Sequence, residues 1–213
     1  MTEKEKFDGA VKTYTVEGFI PDVGKAIQCS TSHYLGQNFS KMFYIKFSDK
    51  NENNQYVHQN SWGFTTRSIG VMLMTHSDDR GLVIPPFMAD IHVVIIPIYN
   101  EKNKPDVLKY INYIKSCIEV IRKNKIKIKL DDRENYSVGW KINHWEQAGI
   151  PIRLEIGPRD VKNNTYVMVR RDTNKKELCE LRMDTLPISI ESQLSSIGTL
   201  LYVYANEKLK KIV

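Results

Sequence analysis

The clearest hydrophobic pattern in the chain is IHVVIIPI, residues 91 to 98, an almost unbroken apolar run. Such a run is typical of a strand covered on both faces of a sheet. Residues 105 to 124 begin with a proline that suits a first helical turn, and then repeat apolar side chains along one helical face at Val107, Ile111, Ile114, Ile118 and Ile121. Residues 126 to 130, IKIKL, alternate as a strand does. The three segments predict a parallel βαβ unit.

The residues after this unit also show helix and strand patterns. A helix is predicted at about 138 to 148, with Ser137 as its cap and Gly149 as its stop. Two strands follow at 151 to 156 and 165 to 171, separated by the turn-rich GPRDVKNN, and a closing helix covers about 188 to 211. Residues 87 to 213 therefore predict an α/β domain of about five mixed strands and three helices.

The first 86 residues have a different pattern, and Pro85-Pro86 marks the boundary. They predict antiparallel sheet with little to cover it, followed by a helix at about 66 to 76. TSHYLGQNFSKMF, residues 31 to 43, is read from residue type as a loop and short helix. The extended segments are expected at 13 to 19, 24 to 29, 42 to 48 and 55 to 62.

Composition narrows the class of protein. With 213 residues, 41% hydrophobic and 26% charged, the chain is typical of globular proteins. No apolar run approaches the roughly 20 residues that span a bilayer, and the start MTEKEKFDGA lacks the apolar centre of a secretion signal, so we expect a cytoplasmic protein away from membranes. The 3 cysteines and 5 histidines show no metal-ligand spacing, so no bound metal is expected.

Charge separates the two parts. Residues 1 to 86 carry 9 Lys/Arg and 9 Asp/Glu, whereas residues 87 to 213 carry 22 and 16, so the net +6 belongs to the second part. A basic domain favours a polyanionic partner, because each neutralised phosphate releases counterions. A solvated charged surface is an equally good reading of charge alone.

SWGFTTRSIG, residues 61 to 70, carries the most specific chemistry of the first part. If a helix begins near Thr66, then Thr65 or Thr66 can cap it, and Arg67 stands at its positive end. A guanidinium there suits a phosphate or a carboxylate. The alternative is a surface arginine in a capped helix.

These residues carry a family resemblance. SWGFTTRSIG resembles motif 3 of class II aminoacyl-tRNA synthetases, and QCSTSHYLGQNFSKMF (28 to 43) is similar to prolyl-tRNA synthetases of the eukaryotic and archaeal type. DDRENYSVGWKINHWEQAGIPIRLEIGPRD (131 to 160) resembles the anticodon-binding domain of that family. The resemblance implies that residues 1 to 86 form the C-terminal remnant of the catalytic domain and residues 87 to 213 the anticodon-binding domain.

The family's activity implies roles for the first part. The reaction activates L-proline with ATP and Mg²⁺ and transfers the prolyl group to tRNA(Pro), chiefly by positioning and charge neutralisation. Arg67 corresponds to the catalytic motif 3 arginine. ATP contacts are expected from Gln28, Thr31, Thr65 and Arg67, and proline contacts from His33, Ser61, Trp62 and Gly63.

Other family features are missing from the sequence. Motif 1, motif 2 and the Thr-x-Glu segment are not found before residue 20, and no zinc-associated C-terminal domain follows, so we expect a piece of a longer, homodimeric enzyme that does not activate proline alone. RNA recognition should survive, because single-stranded bases are read by stacking and by hydrogen bonds to their edges. The residue types suited to guanine are Arg133, Lys141, Arg153, Glu155 and Arg159.

Each of these anticodon residues has a structural alternative, an ion pair within the domain. Arg153 and Glu155 alternate on one strand and could form a solvated face. Trp140 and Trp145 could stack on a base, but packing onto the sheet is favoured for Trp145. A stand-alone RNA-binding protein and a module that docks another protein through its sheet edge are the alternative functions.

Overall fold

The computed structural model describes residues 2–122 and 126–211, with the backbone alone for residues 119–122. The chain forms two compact units, Met1–Thr75 and His76–Val213. The sequence places a domain boundary later, at residue 86. Residues 76 to 86 belong to the second unit: the Leu82 amide donates to the Gln147 carbonyl oxygen (3.0 Å), and Arg171 forms an ion pair with Asp78.

The first unit contains a three-stranded antiparallel sheet in the order β1-β2-β5. Its other described elements are two helices and a short β3-β4 hairpin. The bounds are β1 Lys12–Ile20, β2 Lys25–Gly36, α1 Asn38–Met42, β3 Lys46–Ser48, β4 Asn54–Tyr56, β5 Gln59–Phe64 and α2 Arg67–His76.

Two predictions for this unit need correction. Residues 31 to 36, expected as a loop, continue β2, because this central strand pairs with β1 on one side and β5 on the other. Residues 42 to 45, expected as strand, do not extend. Met42 ends α1, and Tyr44 adopts a left-handed backbone with φ 53°, which interrupts an extended run.

The second unit contains a five-stranded mixed sheet in the order β10-β9-β8-β6-β7. The β6-β7 and β6-β8 pairs are parallel, and the β8-β9 and β9-β10 pairs are antiparallel. This confirms the predicted α/β class and the parallel βαβ unit. The bounds are β6 Val93–Pro97, α3 Lys104–Arg122, β7 Ile128–Leu130, α4 Val138–Gln147, β8 Ile152–Ile156, α5 Pro158–Asn163, β9 Thr165–Arg170, β10 Lys176–Glu180 and α6 Leu186–Lys210.

Strand β6 is buried along its whole length because helices cover both faces of the sheet. Val93 and Ile95 belong to a core with α3 and α6, whereas Val94 and Ile96 pack with Trp145 of α4. The apolar residues predicted for α3 at 107, 111, 114 and 118 are all buried. The predicted helix end at residue 124 and the side chain of Ile121 lie outside the described residues.

Helix α5 is a fourth helix of this unit among the described residues, where the sequence predicted only a turn-rich link. Pro158 occupies its first turn, and the carboxylate of Asp160 accepts a hydrogen bond from the Gly157 amide (2.8 Å). Asn164 ends it with a left-handed backbone, φ 54°. The helix is short enough for these local caps, rather than an apolar stripe, to define it.

Candidate nucleic-acid interface

The main candidate site lies at the carboxyl ends of parallel strands β6 and β7. The chain leaves β6 toward β7 on one side and returns to β8 on the other, so a crevice opens where the connections diverge. A cavity of about 270 Å³ occupies this position. Its lining residues are Pro97, Tyr99, Asn100, Glu101, Arg133, Glu134, Tyr136, Ser137, Val138 and Lys141.

Arg133 is held in the cavity wall by Asp131. The Arg133 Nε atom donates to Asp131 Oδ1 (2.8 Å) and Nη2 donates to Oδ2 (2.7 Å). The Asp131 side chain is fully buried, whereas that of Arg133 remains 37% exposed. Burial of the Asp131 carboxylate raises its pKa, but hydrogen bonds from Arg133 and Trp145 outweigh this and hold the pKa at about 2.

Aromatic rings stack beside this guanidinium. The Tyr136 and Trp140 ring centroids are 3.8 Å apart, and those of Trp140 and His144 are 4.8 Å apart. These residues are four positions apart, so they follow one another along the axis of α4 and its N-terminal extension. Trp140 therefore has a neighbour on each face, whereas Tyr136, with Trp140 on one face, is the ring of this stack that lines the cavity.

Helix α4 begins where the sequence predicted. The Ser137 Oγ accepts a hydrogen bond from the Trp140 amide, and the helix ends before Gly149, which has φ 75°. This cap fixes the turn that carries Tyr136 immediately before the helix. Trp145 packs under the sheet, 9% exposed, as expected.

The predicted anticodon residues do not all meet in the cavity. Arg133 and Lys141 line it, although the Lys141 ammonium is buried and donates to the Asp131 carbonyl oxygen (3.1 Å). Arg159 is exposed on α5, which follows the carboxyl end of β8, and it has no hydrogen-bond or ion-pair partner among the described residues.

Arg153 and Glu155 form an ion pair within the domain. Arg153 Nε donates to Glu155 Oε1 (3.0 Å), and Lys176 Nζ lies 3.0 Å from Glu155 Oε2. Both side chains are only 9% exposed. Of the two structural alternatives, the ion pair within the domain is therefore the one observed, and the solvated face is not, because α4 and β10 bring Glu146 and Lys176 against these side chains.

Sequence reasoning missed Tyr136 and Asp131. Tyr136 has no distinctive local pattern, but its position four residues before Trp140 was a usable signal for stacking. Asp131 is the first residue after β7, a position where α/β sheets commonly carry functional side chains. Both lie in the DDRENYS segment that the family resemblance includes.

A larger cavity of about 690 Å³ lies elsewhere in the second unit. No lysine or arginine is present among its lining residues within the described part of the chain, so it offers no cation for a phosphate. The lining residues are Pro86, Phe87, His92, Ile126, Glu191, Leu194, Ser195, Gly198, Thr199 and Tyr202.

The first unit gathers several predicted nucleotide and proline residues on one face of its sheet. Thr31 is paired with Gly63 across β2 and β5, and His33 is paired with Ser61. A β-bulge beside Cys29 shifts the register, and Gln28 donates a side-chain hydrogen bond to Thr31. The bulge thus brings Gln28 onto the face of Thr31, which regular alternation would not do.

Trp62 is the exception among the predicted proline residues. It pairs with Ser32, one position away from His33, so its side chain lies on the opposite face of the sheet and is 77% exposed. A residue that the sequence reasoning did not select, Phe7, lies beside His33 instead. Their ring centroids are 4.9 Å apart. Phe7 supplies an apolar surface on the His33 side.

Arg67 begins α2 and is exposed, with no hydrogen-bond or ion-pair partner in the described part of the chain. The first turn is closed by backbone: the Ser68 amide donates to the Thr65 carbonyl oxygen, and the Ile69 amide to that of Thr66. Neither threonine side chain caps the helix within the described residues. Arg67 is thus a free guanidinium at the positive helix end, as the sequence predicted.

Across residues 2–122 and 126–211, no helix combines the length and apolar character needed to cross a membrane. In the same ranges, no group of three or more His, Cys, Asp or Glu side chains is arranged to hold a metal ion.

Comparison with known proteins connects both units to one family. Residues 92–192 match the family model described as "Anticodon binding domain". The chain is 46% identical over 202 residues to "Proline--tRNA ligase" of Alkaliphilus oremlandii (strain OhILAs), covering 94% of this chain and 40% of that protein. It is 48% identical over 201 residues to "Proline--tRNA ligase 2" of Bacillus thuringiensis (strain Al Hakam), with the same coverage of 94% and 40%.

A third relative gives the same result. The "Proline--tRNA ligase" of Symbiobacterium thermophilum (strain DSM 24528 / JCM 14929 / IAM 14863 / T) is 44% identical over 206 residues, covering 97% of this chain and 41% of the relative. The chain thus spans about 40% of the length of the curated relatives it matches. The aligned part includes nearly all of both compact units. The chain contains an anticodon-binding domain at residues 92–192, and over nearly all of its length it is similar to part of the proline–tRNA ligases.

Proposed function

We propose that the second unit binds the anticodon of tRNA(Pro) in the cavity at the carboxyl ends of β6 and β7. The observation that carries the proposal is the combination found there: a half-exposed guanidinium, a stacked aromatic pair and a crevice of about 270 Å³. Single-stranded RNA is recognised by this combination of stacking and hydrogen bonds to base edges.

The aromatic geometry selects the stacking surface. At 3.8 Å between the Tyr136 and Trp140 centroids, an RNA base does not fit between the rings. His144 covers the other side of Trp140. We therefore assign base stacking to the outer face of Tyr136, rather than to Trp140 as the sequence suggested.

Hydrogen bonding to guanine is assigned to Arg133. Two of its nitrogen atoms donate to Asp131, and Nη1 is free of Asp131, so it can donate to guanine O6 or N7. Lys141 is buried and contributes positive charge from behind the wall. Arg159, exposed beyond β8, is proposed as a contact to the neighbouring RNA backbone.

Arg153 and Glu155 are proposed as structural residues. The Glu155 carboxylate already accepts hydrogen bonds from Arg153 and Lys176. Reading guanine N1 and N2 would require breaking these bonds inside the domain. Among the carboxylates that line the cavity, Glu134 pairs with Lys104, so exposed Glu101 is better placed for that contact.

The first test measures binding of the chain to an anticodon stem-loop of tRNA(Pro) and to the same RNA with both anticodon guanines replaced. We expect the replaced RNA to bind more weakly by roughly 1 to 3 kcal/mol per changed base. Tyr136→Leu should weaken binding by about 1 to 3 kcal/mol, the range for a stacked base. Tyr113→Leu is the matched control, because Tyr113 is 42% exposed against 37% for Tyr136 and lies on α3.

Equal binding of the two RNAs, with affinity falling steeply as salt is raised, would refute anticodon reading and leave only phosphate attraction. A stand-alone RNA-binding protein remains the alternative function, and it predicts binding of unrelated RNA loops. Binding that does not depend on the RNA sequence would favour the other alternative, a module that docks another protein through its sheet edge.

For the longer protein we propose the activity of its relatives: ATP and Mg²⁺ activate L-proline, and a cytoplasmic homodimer transfers it to tRNA(Pro). The shared sheet face of Gln28, Thr31, His33 and Ser61 supports a substrate surface in the first unit. Arg67 is proposed to hold the ATP phosphates from the start of α2, with Thr65 and Gly63 beside it.

The proline side of this surface is proposed around His33, Ser61 and Gly63, with Phe7 as an added apolar wall. Trp62 remains a proposed member only if the pocket wraps around the sheet edge, since it faces away from His33. We also propose that the chain alone does not activate proline, because it spans about 40% of its relatives. Proline-dependent ATP–pyrophosphate exchange by the purified chain would refute this.

A further inference from the structure

Asp131 lies at the meeting point of β7, α4 and the cavity wall. Its backbone amide donates to the Ile95 carbonyl oxygen (2.9 Å), which extends the parallel pairing of β6 and β7 by one residue. Its side chain has no solvent exposure. The carboxylate is therefore fixed by the sheet and does not face the cavity itself.

Three side-chain donors converge on this carboxylate. Arg133 supplies Nε and Nη2, and Trp145 supplies Nε1 (2.7 Å). A bidentate guanidinium–carboxylate pair fixes the guanidinium plane as well as its position. Trp145 in turn anchors the carboxylate to α4, so the plane of Arg133 is defined relative to both the sheet and the helix.

The fixed plane matters because of what lies beside it. The guanidinium carbon of Arg133 is 5.1 Å from the Tyr136 ring centroid and 5.0 Å from that of Trp140. The edge turned toward Asp131 is occupied, which leaves Nη1 as the nitrogen that Asp131 does not use. A base stacked on Tyr136 would lie beside this donor, whose direction is set by the pair with Asp131.

We propose that Asp131 is a positioning residue for RNA recognition, acting through Arg133 to orient its free donor beside the Tyr136 stacking surface. This inference rests on the proposed function of the cavity. It makes base discrimination depend on a carboxylate that does not touch RNA. A merely structural Asp131 would support the fold without influencing which base is preferred.

The experiment measures the affinity ratio between the tRNA(Pro) anticodon stem-loop and its guanine-replaced form. Asp131→Asn is expected to lower this ratio roughly tenfold, comparable with losing one bidentate base contact. In an Arg133→Ala background, the same Asp131→Asn change is expected to have no further effect on the ratio, because its action passes through Arg133.

Two further variants separate positioning from folding. Gly149→Ala strains a turn outside this network, where φ is +75°, and is expected to lower stability while leaving the ratio unchanged. Arg133→Lys keeps the charge at a half-exposed position but cannot form the bidentate pair. We expect Arg133→Lys to lower the affinity ratio as much as Arg133→Ala does. It also tests the proposal if Asp131→Asn does not fold.

The outcomes are distinguishable. If the wild-type chain does not discriminate between the two RNAs, the proposed function and this inference are both overturned. If the wild type discriminates but Asp131→Asn or Arg133→Lys keeps the full ratio, only the inference is overturned. The inference would also be overturned if Asp131→Asn lowered the affinity ratio equally in the wild-type and the Arg133→Ala backgrounds.

Discussion

Replacing Glu155 with glutamine tests whether the charges on β8 belong to the fold or to RNA recognition. Glu155 is 9% exposed at its side chain and accepts hydrogen bonds from Arg153 (3.0 Å) and Lys176 (3.0 and 3.2 Å). Neutralising it leaves Arg153 as a buried cation whose remaining anion, Glu146, is 4.0 Å away. Most of the loss in the free energy of unfolding should therefore come from the unpaired Arg153 cation.

The magnitude follows from burial. Removing one partner of a buried ion pair costs roughly 3 to 5 kcal/mol, because the other charge is left uncompensated. Glutamine keeps an acceptor oxygen for Arg153, and Lys176, 58% exposed, can turn to water. We therefore expect Glu155→Gln to lower the free energy of unfolding by about 3 kcal/mol, the lower end of that range.

The assay is urea unfolding followed by tryptophan fluorescence, with Trp62→Phe as the background so that the signal comes from Trp140 and Trp145 of the second unit. Glu177→Gln is the matched control: its side chain is 40% exposed and pairs with exposed Lys175, so we expect a change of at most about 1 kcal/mol. At low urea, guanine discrimination should be unchanged in both variants.

Two results would refute this reasoning. A loss below about 1 kcal/mol for Glu155→Gln would mean that the ion pair is energetically equivalent to a surface pair. Loss of guanine discrimination at unchanged stability would restore the sequence-based prediction that Glu155 reads a base. Because the two readouts are independent, either result identifies which part of the argument failed.

Three further predictions concern stability. The folded pKa of Asp131 is about 2, below its ordinary value of 3.8, so the stability that its carboxylate contributes is present above about pH 4 and lost as the pH falls through about 2. Asp131→Asn should therefore remove about 2 kcal/mol of the acid dependence of unfolding. Identical acid unfolding of the wild type and the variant would contradict this prediction. Gly149→Ala should lower the free energy of unfolding by about 2 to 3 kcal/mol in thermal or urea unfolding, since φ is +75° and the new Cβ would lie 2.7 Å from the Leu82 carbonyl oxygen. An unchanged free energy of unfolding would mean that this turn relaxes. Arg67→Ala should change the free energy of unfolding by less than about 0.5 kcal/mol, because the side chain is exposed and unpaired within the described residues; a larger loss would indicate a structural role.

Local patterns were sufficient for elements whose signals are local. The unbroken run of β6 predicted burial on both faces, and α3 with α6 on one face and α4 on the other provide it. Ser137 and Gly149 predicted the limits of α4 because capping depends on only a few neighbouring residues. The same locality was available for α5, where Pro158 and Asp160 mark a first turn that we interpreted as a link.

Long-range pairing was the part that the sequence did not reveal. The alternation of Arg153 and Glu155 is equally compatible with a solvated face and with a buried ion pair. The buried ion pair forms because Glu146 of α4 and Lys176 of β10 pack against these side chains. Local sequence patterns do not predict that α4 and β10 meet at this strand. The bulge beside Cys29 is similar, because register depends on both neighbouring strands.

The distribution of charge also separates recognition from attraction. The net positive charge of the second part suggested a polyanion site, but the cavity itself is close to balanced. Arg133 is paired with buried Asp131, and Glu134 with Lys104, while Glu101 adds a negative charge to the lining. A balanced wall attracts phosphate weakly, whereas its aromatic face and oriented donors favour an unstacked base. Selectivity at this site should therefore come from the geometry that Asp131 and the Tyr136–Trp140 stack impose, with phosphate attraction supplied by cations outside it.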